Sequence, residues 1–243
     1  MLVALVAAAA IGVMFFVAPI PQDPAYHLFA DRRLLFGVPN FWNVASNFAF
    51  LVVGGAGLAG AGRLASQDLR LHYFVSCTAV MLVAIGSAHY HLEPSTPALV
   101  WDRLPMTVAF MTLLSAVIAD RVSWVLGRAL LWPLVVVGIA SIAWWVRSEA
   151  AGAGDLRPYA LVQFLPMLLI PLLLLLWRGE GLSAKRLWMA FAAYAAAKLA
   201  EHFDAEVLAA SGMLSGHSLK HLLAALAAWW VLRAFQGAPA RAL

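Results

Sequence analysis

Three histidines, a serine and an aspartate carry most of the chemistry this chain can offer. His217 and His221 stand four residues apart in "GHSLKH", at the head of a long apolar run. In a helix, positions i and i+4 lie about 40° apart around the axis and about 6 Å apart along it, so both imidazoles project from one face. His91 closes another apolar run in "GSAHYHL", with Ser87 one turn before it at the same spacing, and Asp102 opens the next run in "WDRLPM". Three imidazoles with one position left open are the ligand set of a catalytic zinc ion. Imidazole suits zinc, and the single cysteine, Cys77, excludes both a thiolate cluster and an internal disulfide. His89 competes with His91, but it lies only two residues from Ser87 and points elsewhere on the helix. His27 and His72 fall in or near loops and read as ordinary polar residues.

The elements that must gather these residues are membrane helices. The chain is 64% hydrophobic and 12% charged, against about 25% charged for a soluble domain. A net charge of +4, spread between apolar runs, points to membrane orientation rather than nucleic-acid binding. Eight runs approach the roughly 20 residues a spanning helix needs: 2–20, 41–62, 70–91, 102–119, 125–146, 158–177, 186–206 and 217–236. Alternating patterns are absent and the runs are too long for strands, so the expected fold class is an all-α integral membrane bundle. The first run, "MLVALVAAAAIGVMFFVAPI", lacks the basic start of a signal peptide and has a long apolar core, which favours a retained helix.

Eight crossings put both termini on one side, and nine Lys and Arg there against five opposite make that side cytoplasmic. Odd runs then end, and even runs begin, on the far side. Ser87, His91, Asp102, His217 and His221 therefore fall at one depth near one membrane face. Ionisable residues are costly inside a membrane and tend to be functional.

Three stretches, in order, resemble the alkaline ceramidase family, part of a broader group of seven-helix membrane proteins that includes the adiponectin receptors. They are "FWNVASN" (41–47), "GSAHYHL" with "WDRLPM" (86–106) and "GHSLKH" (216–221). The resemblance covers roughly 21–236, and "PIPQDPAYHLFADRR" is similar to the bacterial branch. It implies an extra N-terminal transmembrane helix (1–20), a non-cytoplasmic loop (21–40), a seven-helix domain (41–236) and a C-terminal tail (237–243). It also implies His91, His217 and His221 as zinc ligands, with Ser87 and Asp102 completing a site that hydrolyses the amide of ceramide to a fatty acid and a sphingoid base. Asp102 is then the expected general base and Ser87 the donor to the oxyanion. The alternatives for Asp102 are an ion pair with Arg103 or support of a ligand histidine. The family's calcium site maps here onto Asp31 and Asn40, an incomplete set for an ion that takes six to eight oxygens.

Lys220, between the two histidines, is a candidate contact for a lipid head group, and Lys198 and Glu201, three apart, are expected to pair and snorkel. The expected partners are a lipid substrate and the bilayer, with no nucleic acid. The expected location is a bacterial inner membrane, with the active site toward the periplasm. Competing readings are hydrolysis of another lipid amide or ester, a lipid receptor or sensor with a structural zinc, and a transporter. The last expects charges near the bilayer midplane rather than at one face.

Overall fold

The computed structural model describes residues 1–236; the expected tail at 237–243 lies outside them. The described residues are helical, with no strand beyond one isolated antiparallel bridge between Leu35 and Val38. The helices are α1 (Leu2–Val13), α2 (Phe41–Ala45), α3 (Phe48–Ala59), α4 (Arg70–Leu92), α5 (Thr96–Arg121), α6 (Trp124–Ala150), α7 (Arg157–Leu176), α8 (Ala184–His202), α9 (Asp204–Ser211) and α10 (Gly216–Phe235).

Among the described residues, five spans are long and apolar enough to cross a membrane: Phe41–Ala59, α4, α5, α6 and α7. Their outer faces carry exposed apolar side chains such as Val52, Ile85, Val136, Val137 and Leu175. Such a girdle is a liability in water and suits lipid. α8 and α10 are 19 and 20 residues long, but their charged and histidine side chains lower their hydropathy. Lys198, Glu201 and Lys220 are half-buried and line an internal cavity, so lipid need not solvate them.

The chain departs from expectation at three boundaries. α1 has 12 residues, about 18 Å of helix against a hydrocarbon core of about 30 Å. Pro19 and Pro21 cannot continue it, and the carbonyls of Met14 and Val17 instead accept from Arg157 Nη1 at 3.1 and 2.6 Å. α5 starts at Thr96, six residues before the expected position 102. Ser95 caps it and Pro97 falls in its first turn, where a missing N–H costs nothing. The prolines of "EPSTP" lie between the expected runs 70–91 and 102–119, but the second one sits inside the first turn of the helix. The run 41–62 divides at Ser46 and Asn47 into α2 and α3.

α5 packs against α4, α6 and α7, while α10 packs against α8, α3 and α4. Two glycines set the closest approaches. A Cβ on Gly86 would run into the carbonyl of Trp101 on α5, and one on Gly216 would meet the carbonyl of Ala200 on α8. Pro105, inside α5, has no N–H to give its i−4 residue, which is Trp101. Helix α5 thus brings an unclaimed carbonyl to the one α4 position without a side chain, and the residues on either side, Ser87 and Asp102, are drawn together.

At the same end of the bundle the loop 14–40 is stitched down. Leu156 N–H donates to the Ile20 carbonyl at 2.8 Å and Gln22 N–H to Glu149 Oε1 at 2.7 Å. Asp155 accepts the Arg157 fork at 2.8 and 2.9 Å, which holds its carboxyl down at about 2, below the ordinary value of 3.8. A depressed carboxyl contributes stability above its unfolded pKa and loses it as pH falls through the folded one. The thermal stability gap between the protein and Asp155→Asn is therefore expected at pH 7 and to close as pH drops from about 4 toward about 2. Parallel melts at pH 7 and pH 2.5 check this; a gap independent of pH would remove the ion pair as its source.

Candidate metal centre

The imidazoles of His91, His217 and His221 form a buried triangle with ring centroids 4.9 Å apart on every side. One ligand atom from each lies within 4.8 Å of the others, and this is the group of three among the described residues that could hold a metal ion. His217 Nε2 and His91 Nε2 are 3.3 Å apart. Two nitrogens on a tetrahedral zinc at about 2.0–2.1 Å each would be separated by about 3.3–3.4 Å, so the donor set fits. His221 Nε2 is buried without a partner, which for a buried polar atom calls for an explanation. His89, by contrast, is exposed. His72 lies in the first turn of α4, 1% exposed, with Nε2 3.0 Å from Ser115 Oγ. His27 bridges Tyr90 and Thr96 at 2.8 and 3.1 Å and fastens the loop to α4 and α5.

Each imidazole is placed from outside. "GHSLKH" begins α10 with Ser215 as its cap and Gly216 against α8. The His217 N–H donates to Asp204 Oδ1 at 2.7 Å, and Asp204 Oδ2 accepts from Ala30 N–H at 2.9 Å. His221 Nδ1 lies 2.8 Å from Ser46 Oγ and 3.4 Å from Asn47 Nδ2. With Nδ1 protonated it donates to Ser46, whose own hydrogen goes to the Asn43 carbonyl at 3.3 Å, and the lone pair of Nε2 turns inward. Ser218 Oγ donates to Asn43 Oδ1 at 2.7 Å. Asn40 Nδ2 donates to the His91 carbonyl at 2.9 Å. Phe29 covers His91 and His217 at centroid distances of 4.7 and 4.4 Å.

Residue types and spacing alone assign no site role to Asn43, Ser46, Asn47 or Phe29. A signal for the first three is nevertheless present: polar residues at i, i+3 and i+4 in an apolar stretch share a helix face. Phe29, in an irregular loop, gives none. Because Ser46 orients His221, Ser46→Ala is expected to weaken metal binding by the three imidazoles about 10–100-fold with the fold intact. Competition with a chromophoric chelator measures it; unchanged affinity would leave Ser46 a packing residue.

Ser87, Asp102, Lys220 and His221 line one internal cavity of about 280 Å³, which runs on between α3, α4, α5, α7, α8 and α10. Most of its wall is apolar, including Phe50, Val83, Met106, Phe110 and Phe191. The Ser87 hydroxyl faces the Asp102 carboxyl. No ion pair joins Asp102 to Arg103 among the described residues. Lys220 Nζ is 3.0 Å from Glu201 Oε1 and 3.0 Å from His217 Nε2, and Glu201 also accepts from Lys198 at 2.6 Å. The expected pairing of Lys198 with Glu201 is present, and Lys220 shares the same carboxylate.

Asp31 and Asn40 are both engaged within the protein. Asp31 is 1% exposed and receives Arg33 Nε and Nη2 on its two oxygens at 2.8 and 2.7 Å. That guanidinium holds the carboxyl below its usual range. Asn40 spends its amide on His91.

A family model described as Ceramidase matches residues 37–170. The matched stretch holds Ser87, His91, Asp102 and the Asn43–Asn47 support, and it ends within α7, before α10, which carries the other two imidazoles. No curated protein and no solved structure matches the chain.

Proposed function

The chain belongs to the ceramidase family, and from that premise we propose that it is a zinc-dependent intramembrane amidase cleaving ceramide-like lipids to a fatty acid and a sphingoid base. The observation that carries this reading is the buried imidazole triangle, of which His221 lines the same apolar cavity as Ser87 and Asp102. An apolar pocket with a few convergent polar groups is what a lipid amide requires.

In this reading His91, His217 and His221 hold the metal. A zinc ion bound there would act as a Lewis acid, acidifying water and polarising the amide carbonyl. The Asp102 carboxylate accepts a proton from the attacking water as the new C–O bond forms, and returns it to the amide nitrogen as the C–N bond breaks. The Ser87 hydroxyl donates to the carbonyl oxygen as charge gathers on it. Phe29 and the loop 14–40 keep bulk water off the imidazoles. We include no calcium, because Arg33 already neutralises Asp31 and Asp31 with Asn40 falls short of the six to eight oxygens that calcium takes.

We further propose seven spans over 41–236, formed by α2 with α3, α4 to α8, and α10, with α1 as an addition outside them. The positive charges favour a cytoplasmic C-terminal end in a bacterial inner membrane and a site facing the periplasm. Incubating purified protein with ceramides and with lipid esters, with and without chelator, tests the reaction. Release of fatty acid and amine that stops on chelation is the expected result. Ester cleavage alone would move the reading to an esterase. No turnover by a protein that retains zinc would favour a receptor or sensor.

A further inference from the structure

Resting on the amidase reading above, we infer that Arg103 binds an anionic group, carboxylate or phosphate, on the head of the lipid substrate. Arg103 is 7% exposed and lines the cavity. No hydrogen bond or ion pair involves it among the described residues, and its Nη1 is buried without a partner. Its guanidinium lies over three rings, Tyr26 at 5.3 Å, Trp145 at 4.7 Å and Tyr159 at 4.8 Å. Ring faces attract a cation, but they leave the planar N–H fork unfilled.

Charge on the cavity wall points the same way. Lys198, Lys220 and Arg103 face two carboxyls, Asp102 and Glu201, and Glu201 already serves both lysines. A desolvated cation without a counter-ion is costly, and an anion arriving with the substrate completes the set. A guanidinium fork is the geometry that grips a carboxylate or phosphate with two parallel hydrogen bonds.

Depth along α5 identifies which end of the lipid is held. The cage comes from the site end of the bundle: the loop residue Tyr26, Trp145 near the end of α6 and Tyr159 in the first turns of α7. Further along α5 the cavity wall becomes apolar at Met106, Phe110 and Leu113, the last about 15 Å from Arg103 at 1.5 Å per residue. An amphiphile with its chain in that apolar depth sets its amide beside Asp102 and its head beside Arg103. A stack that merely pinned α5, α6 and α7 to the loop would need no unpaired guanidinium on the wall of a cavity.

Two matched substrate pairs decide this on the full-length protein in detergent. They are N-dodecanoylglycine against N-dodecanoylethanolamine, and ceramide 1-phosphate against ceramide. The expected result is a preference of about tenfold or more in kcat/KM for the charged member of at least one pair. Arg103→Gln should erase that preference while the neutral member changes by less than about twofold, and Arg103→Lys should keep part of it. The pair that responds tells carboxylate from phosphate. Equal rates within both pairs, or an equal loss on both members in Arg103→Gln, would overturn the assignment. So would dodecanoate inhibition abolished by Arg103→Gln with no preference between substrates, because Arg103 would then hold the released acid. If neither pair is cleaved, the amidase reading falls separately and binding decides. Calorimetry on the His217→Ala background compares dodecyl phosphate with dodecanol. Tighter phosphate binding lost in the added Arg103→Gln change supports the anion site, and equal binding overturns it.

Discussion

His217→Ala will leave the protein unable to retain zinc. The purified protein is expected to carry about one zinc per chain. The variant should carry none after dialysis, its affinity falling by more than the roughly 10–100-fold that follows loss of a mere supporting partner. His217 Nε2 lies 3.3 Å from His91 Nε2, so its removal leaves two imidazoles where a tetrahedral site needs three. The variant should still fold, because the bond from residue 217 to Asp204 uses the backbone N–H at 2.7 Å, and alanine keeps it. A void beside Phe29, whose ring is 4.4 Å from that of His217, costs some thermal stability. Elemental analysis of monodisperse protein reads the result directly. Full zinc occupancy in His217→Ala would remove it from the ligand set.

The second large effect is expected at Asp102. Asp102→Asn keeps the shape and the contact with Ser87 but cannot take a proton at neutral pH. It is expected to lower kcat by about 10²–10⁴, the usual worth of a positioned acid or base, while zinc content and KM stay close to those of the parent. The split between kcat and KM matters: a residue that only held Ser87 or a histidine in place would change zinc content or substrate binding as well. Turnover that survives Asp102→Asn would return Asp102 to a supporting role and leave the proton transfers to another group.

Both effects concern residues that are conspicuous in the amino-acid sequence, for a physical reason. Histidine, aspartate and serine are costly inside lipid, so their presence at the ends of apolar runs is a signal in itself. The i, i+4 spacing then fixes their shared faces, and the alternating direction of the runs puts them at one end of the bundle. Helix ends are less legible. Pro97 reads the same in a loop and in a first helical turn, and only the Ser95 cap decides between them. The shortened α1 ends where carbonyls of Met14 and Val17 meet Arg157, more than 100 residues away in the chain. No local pattern contains that contact.

The sequence by itself determined the helical class, the membrane setting, the family likeness and the polar residues available for chemistry, because those depend on composition and on spacing within one helix. Tertiary structure decided which of them meet. It chose His91 over His89 by turning one inward and the other out. It gave Lys220 to Glu201 and His217, gave Asp31 to Arg33, and set Ser46 behind His221. It also left Arg103 without a carboxylate inside three rings. Pairing of buried polar groups is a competition among partners on different helices, settled by close approaches such as Gly86 against Trp101 and Gly216 against Ala200, and a helix's own spacing carries no record of its neighbours.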